Sequence, residues 1–209
     1  MATNYLVKQG DHVSKLAQQF GFADFRTIWD HPNNATLKNL RQNPNVLNPG
    51  DQLFIPDKQL RKERRPTGAT HRFKARVIPL MLRVVVKNVD DSPVANTPGK
   101  LLVAGRTYPL TTDKNGRIEQ AIPRDAETAQ LIILDQGIPI KIGHLDPVDQ
   151  VSGYRARLNN LGYHAGSSDD PNDAQLRSAI EEFQCDQHLK VDGKCGPQTQ
   201  KQLEKVHGC

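Results

Sequence analysis

The chain has 209 residues, of which only 36% are hydrophobic and 5% aromatic. A sequence this poor in apolar residues excludes one large core and indicates several small domains in series. No stretch approaches the roughly 18 consecutive apolar residues of a membrane span, and MATNYLVKQGDH has neither the basic nor the apolar region of a secretory signal. We therefore expect no membrane contact and synthesis in the cytoplasm without a signal peptide.

The net charge of +5 is concentrated in one short stretch. Residues 58–76, KQLRKERRPTGATHRFKAR, carry eight basic groups and one acidic group. Blocks of like charge repel one another and resist packing, which predicts a solvated linker here. Binding of nucleic acid through its phosphates is the alternative, but within this stretch only Phe73 offers an aromatic ring for stacking on a base. We do not expect nucleic acid as a partner.

The first residues have the pattern of a strand followed by a helix. Apolar and polar side chains alternate at residues 5–8, which predicts the strand. Asp11 is placed to cap the following helix, and Gly21 is placed to end it. One face of this helix carries Val13, Leu16, Ala17 and Phe20.

A second helix and a closing strand complete this segment. Apolar residues predict a helix around residues 25–29, and a polar insertion follows at residues 30–41. Pro49 and Gly50 form a turn before the closing strand at residues 53–55.

The resulting β-α-α-β order, with YLVKQGDHVSKLAQQFG at the front and NPNVLNPGDQLFIP at the back, resembles the LysM domain across residues 5–56. The insertion at residues 30–41 is longer than the usual LysM connection. The resemblance implies a shallow groove for a polymer of N-acetyl sugars, because in that family the polymer lies between the loop after the first strand and the loop before the last. It assigns one wall to Gly10, Asp11, His12 and Val13, and the other to Asn45, Val46 and Leu47.

Residues in and beside these walls also have purely structural interpretations. Asp11 is suited to capping and Gly50 to turning the chain, without any contact to a sugar. His12 stands where the family often has Thr, so its contact departs from the LysM pattern.

Residues 77–145 have the period of an antiparallel β domain. Leu80, Leu82, Val84 and Val86 recur at every second position, and further β-rich runs occupy residues 101–103 and 131–134. Turn signals lie at residues 90–93 and 114–116. The stretch TTDKNGRIEQAIP resembles a turn of small immunoglobulin-like or transthyretin-like sandwich modules. Because no catalytic pair assembles there, we expect a spacer or docking module.

Residues 146–209 return to a helical period. LDPVDQVSGYRARLNNLGY, NDAQLRSAIEEFQ and a segment beginning at Pro197 predict three helices. In order, RLNNLGY, AIEEFQ, LKVDGKCGPQT and KQLEKVHG resemble the three-helix type of peptidoglycan-binding domain across residues 147–208. The resemblance implies contacts to glycan or stem peptide from Tyr163, Asp192, Gly193 and Thr199. All four have competing structural roles, such as a Thr199 hydroxyl that satisfies free backbone donors of the last helix.

Three cysteines lie in this last segment, and a disulfide is the favoured interpretation. The pairing among Cys185, Cys195 and Cys209 is open, with Cys185–Cys209 preferred because it closes the longer loop and secures the chain end. With His188 and His207 the cysteines could supply a tetrahedral zinc site, but the usual paired spacing is missing, so we expect no metal or cofactor. The ending His-Gly-Cys resembles the motif of L,D-transpeptidases, yet a terminal cysteine has no scaffold to orient a base.

Together these patterns predict a multidomain α+β protein that binds bacterial peptidoglycan without catalysis. The expected parts are a small βααβ LysM domain (1–57), the basic linker (58–76), a central antiparallel β-sandwich-like domain (77–145) and a C-terminal three-helix domain (146–209). Two modules on one chain would bind one polymer bivalently. The alternatives are a cytoplasmic structural adaptor that has lost wall binding and a peptidoglycan hydrolase. A hydrolase needs a catalytic pair that the β domain does not show, and we expect no catalytic residue, since Asp90, Asp91 and Asp113 lie in predicted turns, where Asp is common.

A further resemblance concerns location and partners. IWDHPNNATLKNLRQNPNVLNPGD and IGHLDPVDQVSGYRARLNNLGY resemble accessory proteins of type VI secretion or phage-tail-like injection systems. This resemblance implies a secretion spike or toxin as partner. It also implies action at the cell wall or periplasm after export by a machine that needs no signal peptide.

Overall fold

Three separate hydrophobic cores follow one another along the chain in the computed structural model, which describes residues 2–59, 62, 64–72, 77–90 and 92–208. The cores lie within residues 7–55, 80–142 and 154–203. The described residues form six α-helices and eight strands, all of them paired antiparallel. Each core falls inside one predicted domain, whose boundaries stay a prediction.

The N-terminal unit packs short helices against a two-stranded sheet. Strands β1 (Thr3–Leu6) and β2 (Gln52–Ile55) pair antiparallel. Between them lie α1 (Val13–Gln19), α2 (Arg26–Trp29), a 3₁₀ turn (Pro32–Asn34) and α3 (Ala35–Arg41). The polar insertion at residues 30–41 therefore folds as a turn and a third helix, so the predicted βααβ order is incomplete.

Asn34 fastens this insertion to the closing strand. Its side-chain Nδ2 donates to the carbonyl oxygens of Ile28 at 2.7 Å and Phe54 at 2.8 Å, and its Oδ1 accepts from the Phe54 amide at 2.8 Å. The residue is buried. Buried backbone groups need hydrogen-bond partners, and here the side chain of Asn34 provides them for Ile28 and Phe54.

The cap of α1 is His12 and not Asp11, so the predicted capping role of Asp11 is wrong. His12 Nδ1 accepts from the amide of Lys15 at 3.3 Å. The Asp11 carboxylate turns back instead and accepts from the Tyr5 hydroxyl and the Lys8 amide, each at 2.9 Å. Burial, together with this hydrogen bond, raises the pKa of Tyr5 to about 12.

The middle unit consists of two facing sheets. Strands β3 (Leu80–Val85) and β6 (Arg117–Ile122) form one sheet. The other has the order β5-β4-β7-β8, with β4 Pro98–Val103, β5 Arg106–Thr111, β7 Thr128–Ile133 and β8 Gln136–Lys141. Leu101, Val103, Leu131 and Ile133 are buried between the sheets.

Two hairpin turns join the strands of the larger sheet, and both have left-handed residues. Ala104 and Gly105 have φ of 49° and 71°, and Leu134 and Asp135 have φ of 51° and 59°. Two successive positive φ values give the turn that matches strand twist. Leu134 is exposed in this turn, so its assignment to the β-rich run 131–134 is wrong.

The C-terminal unit is a bundle of α4 (Val151–Asn160), α5 (Ala174–Asp186) and α6 (Pro197–His207). Leu158, Leu176, Phe183 and Leu203 are fully buried at its centre. Gly162 has φ of 94° just after α4, and Pro197 begins α6 as predicted. None of the described helices is both long enough and apolar enough to cross a membrane.

The basic linker can be followed only in part. Residues 58, 59, 62 and 64–72 contain no helix or strand and are exposed. The other linker residues lie outside the described part of the chain, as does Phe73.

Replacing Asn34 by Ala should lower the free energy of unfolding of the N-terminal unit by about 3 kcal/mol, because buried backbone groups of Ile28 and Phe54 lose their partners. The chain has a single tryptophan, Trp29, in this unit, so its fluorescence during urea denaturation reports the unit alone. The matched control is Asn33→Ala at the exposed neighbouring position. Equal midpoints for the two variants would contradict the assigned role.

Candidate functional site

The first predicted wall of the N-terminal groove is buried. Gly10, Asp11, His12 and Val13 are all inaccessible to solvent or nearly so. Part of this burial is internal, since Val13 belongs to the core and Asp11 is bonded to Tyr5.

The remaining cover comes from the end of the middle unit. Gly143 passes so close that a β-carbon there would lie 2.8 Å from the carbonyl oxygen of Gly10 and 3.0 Å from Cδ2 of His12. A β-carbon on Gly10 would in turn lie 3.3 Å from Nε2 of His144. Nearby, the Gln9 side chain donates to Asp146 at 3.4 Å. We call this contact between residues 9–12 and residues 143–146 the seam.

The second predicted wall lies beside the first. The amide of Val13 donates to the carbonyl of Pro44 at 2.9 Å, which ties the two loops together. Asn45 is exposed, whereas Val46 and Leu47 are buried. The structure thus brings the two walls together, and Asn45 is the wall residue whose side chain is open to solvent.

His12 is held neutral at the seam. Burial foremost, and then the charge of Lys15, lowers the pKa of His12 to about 4. Because Nδ1 accepts the Lys15 amide, the single proton of the neutral ring belongs on Nε2. That nitrogen is buried and has no hydrogen-bond partner in the described part of the chain.

In the C-terminal unit, three of the four predicted contact residues meet one buried side chain, Gln184. Its Nε2 donates to Asp192 Oδ1, the Lys194 carbonyl and Thr199 Oγ1, each at 3.0 Å. Its Oε1 accepts from the amides of Asp192 at 2.9 Å and Gly193 at 3.0 Å. The glutamine therefore holds the VDGKCGPQT loop against α5.

This arrangement fixes the roles of the loop residues within the fold. Thr199 is buried and its hydroxyl accepts from Gln184, so the predicted satisfaction of helix donors by Thr199 is wrong. Gly193 has φ of 67°, which favours glycine at this turn. Asp192 stays exposed, and its hydrogen bonds from Gln184 and Lys194 lower the pKa of its carboxyl.

Tyr163 lies on the rim of the same unit. Its ring meets Phe183 edge-on with ring centroids 5.5 Å apart, and its hydroxyl donates to Asp186 at 3.0 Å. The ring is half-buried and its polar end faces outward, so it combines packing with an accessible hydroxyl.

Asp90 and Asp113 of the middle unit lie in turns, as predicted. Asp90 accepts from the amide and hydroxyl of Ser92, and Asp113 accepts from the amides of Asn115 and Arg117. These hydrogen bonds lower the pKa of both carboxyls. Asp91 lies outside the described residues.

The predicted disulfide does not form between the described thiols. Cys185 is an exposed free thiol and Cys195 a half-buried one, while Cys209 lies outside the described residues. Burial raises the pKa of Cys195 to about 12, which makes it a poor nucleophile at neutral pH. No three potential metal-ligating side chains come together among the residues that the structure describes.

Comparison with known proteins gave a match, which lies in the C-terminal unit. Residues 148–203 match the family model described as "Putative peptidoglycan binding domain". The matched region begins just before α4 and ends within α6, and so contains Gln184 and the loop that it holds. Searches of curated proteins and of solved structures gave no match.

Two parts of the site were missed from the sequence. Gln184 is the Q of AIEEFQ. The signal available from the sequence was the position of this polar residue beside Phe183, at the end of an apolar helix face. The seam had no such signal, because residues 9–12 and 143–146 are far apart in the chain.

Replacing Gln184 by Leu should destabilise the C-terminal unit by about 3 kcal/mol, because the amides of Asp192 and Gly193 lose the acceptor that this buried side chain provides. Hydrogen exchange of amides in α4–α6 measures this, and Trp29 fluorescence should report an unchanged N-terminal unit. Gln175→Leu, at an exposed position of the same helix, is the control. Protection equal to that of the control would contradict the role of Gln184.

The two described thiols should differ strongly in alkylation. In a Cys209→Ser background at pH 8, Cys185 should react readily with iodoacetamide. Cys195 should be nearly inert, because a pKa of about 12 leaves roughly one thiolate in ten thousand. Mass spectrometry of tryptic peptides measures the two rates, and denaturation in urea should make them similar. Equal rates in the folded protein would overturn the burial of Cys195.

Proposed function

We propose that the chain is a non-catalytic binding protein for bacterial peptidoglycan, with the C-terminal unit as its primary contact. The match of residues 148–203 to a peptidoglycan-binding family carries this proposal. The loop fixed by Gln184 and the rim residue Tyr163 supply a rigid polar surface of the kind that binds sugar hydroxyls and amides.

On this surface Tyr163 and Asp192 are the proposed direct contacts. Both present an oxygen toward solvent while another part of the residue is held by the fold. Gly193 and Thr199 act through the loop, since the Gly193 amide and the Thr199 hydroxyl are already bonded to Gln184. A contact held in place before binding loses little conformational entropy when the ligand arrives.

The N-terminal unit is proposed as a second, weaker contact through its LysM-like groove. Asn45 offers an exposed amide side chain there. Two weak sites on one chain raise the effective concentration of a repeating polymer without any new contact. The family match concerns the C-terminal unit alone, and the proposed second contact would make binding bivalent.

We further propose that the protein acts as an accessory protein of an injection system and meets the wall in the periplasm. The middle unit, which lies between the two wall-contacting units, is the candidate docking surface for a spike or toxin. The resemblance of the two stretches quoted above is the support for this role.

A structural adaptor is the second candidate function, and the burial of Gly10–Val13 favours it. An adaptor would use the N-terminal unit only as a packed part of the scaffold. A hydrolase is not proposed, because the matched family is a binding domain and Asp90 and Asp113 are bonded to turn backbone.

The proposed function predicts retention of the full chain on purified murein sacculi in a sedimentation assay. Tyr163→Phe and Asp192→Asn should each weaken retention about fivefold, because each removes one polar group or charge while the fold contacts of the ring or Oδ1 remain. Asp170→Asn, an exposed carboxylate in the loop before α5, is the matched control. A wild-type protein that stays in the supernatant would support the adaptor instead.

A further inference from the structure

Beside the seam, further side-chain contacts join the N-terminal unit to the middle unit. Lys15 Nζ donates to Glu127 Oε1 at 2.9 Å and to the Gly10 carbonyl at 3.3 Å. In the loop after α1, the carbonyls of Phe22 and Ala23 accept from Arg124, each at 3.2 Å. The close approach of Gly143 and His144 to Gly10 and His12 places residues 143–146 over the first wall of the groove.

A further ion pair lies near the second wall. Arg41 forms a buried bidentate pair with Asp51 at 2.8 and 2.9 Å, and its other terminal nitrogen lies 3.9 Å from Asp149. The segment from Gly143 to Asp149 therefore approaches both walls. It is the connection into the C-terminal unit, since α4 begins at Val151.

The seam is closely packed at its centre and weak around it. Gly143 has φ of 76° and leaves no room for a side chain, so the approach of the two backbones depends on glycine. Around it, the Lys15–Glu127 pair and the Gln9–Asp146 hydrogen bond lie at the exposed surface, where such contacts contribute little.

In the closed arrangement the buried Nε2–H of His12 has no hydrogen-bond partner among the residues that the structure describes. The imidazole of His12 borders Gly143, since a β-carbon on Gly143 would lie 3.0 Å from the ring carbon Cδ2, which is bonded to Nε2. A buried donor without an acceptor disfavours the closed state. An acetamide carbonyl of an N-acetyl sugar is an acceptor of the right kind for this donor.

We propose that residues 143–146 act as an autoinhibitory cover over the N-terminal groove, and that His12 Nε2–H binds an N-acetyl sugar once the cover moves away. This inference rests on the proposed function, because it assigns a ligand to the same LysM-like groove. The closed arrangement is the resting state, and the fraction of open molecules sets the apparent affinity.

Two variants of the full chain test this, and we call them the seam variants because each should weaken the seam. They do so by different physical means. Gly143→Ala introduces a β-carbon against Gly10 and His12, and Glu127→Lys places like charges together at Lys15. Gly105→Ala is the matched control, because Gly105 has φ of 71° and nothing within 4 Å of an added β-carbon. It reproduces the backbone strain without the seam contact.

The measurements are titration with a tetramer of N-acetylglucosamine and hydrogen exchange of the amides at residues 10–13. If about one molecule in ten is open in the wild type, both seam variants should bind the tetramer up to tenfold more tightly than the wild type and the control. Their amides at residues 10–13 should exchange faster. Adding His12→Asn, which keeps a capping side chain but lacks Nε2, should remove the gain in affinity.

Affinity within twofold of the wild type, despite faster exchange, would overturn the proposal. Unchanged exchange in both seam variants would also overturn it, since the seam would not then depend on these contacts. A gain that survives His12→Asn would overturn the role of His12. Retention on murein is measured in parallel, so a chain that binds sacculi but gains no affinity for the tetramer refutes the cover and leaves the proposed function standing.

Discussion

Small domains have little regular structure with which to pair buried backbone groups, and this constraint governs all three units of the chain. In each unit a buried polar side chain helps to meet it. Asn34 bonds the insertion to β2, and Gln184 bonds the loop before α6 to α5. Thr112 does the same in the middle unit, where its hydroxyl donates to the Val94 carbonyl and accepts from the Thr97 amide.

The same constraint explains why motif residues near the C-terminal surface have two roles. A loop that carries a binding surface must first be held, and Gln184 uses Asp192, Gly193 and Thr199 for that purpose. Some residues of the motif therefore stabilise the loop and, in our proposal, do not contact the ligand. Tyr163 and Asp192 differ from Thr199 because each still presents an oxygen to solvent.

Sequence patterns predicted the elements that depend on local spacing. The apolar face of α1, the alternation in β3 and the proline at the start of α6 follow from 3.6-residue and two-residue periods and from backbone preferences. The patterns gave wrong predictions where the outcome depends on which way a side chain points or on where a turn must close. Asp11 and His12 were both able to cap α1, and the demand of Tyr5 and Lys8 for an acceptor directed Asp11 away. Leu134 has a β-rich neighbourhood, but hairpin closure between β7 and β8 required a turn there.

The seam joins residues that are far apart in the chain, so no local sequence pattern could predict it. Given the two proposed contacts, its position implies that the C-terminal unit binds murein before the N-terminal unit does. The cover belongs to the connection between the middle and C-terminal units, so a C-terminal unit bound to murein holds a glycan strand within reach of the covered groove. Tethering of this kind raises the local concentration of sugar to the millimolar range for short linkers. A ligand that binds only the open state shifts the population toward it in proportion to that concentration. A weak seam is therefore compatible with a groove that stays closed to free sugars and opens on the polymer, whereas a strong seam would make the N-terminal unit a permanent part of the scaffold.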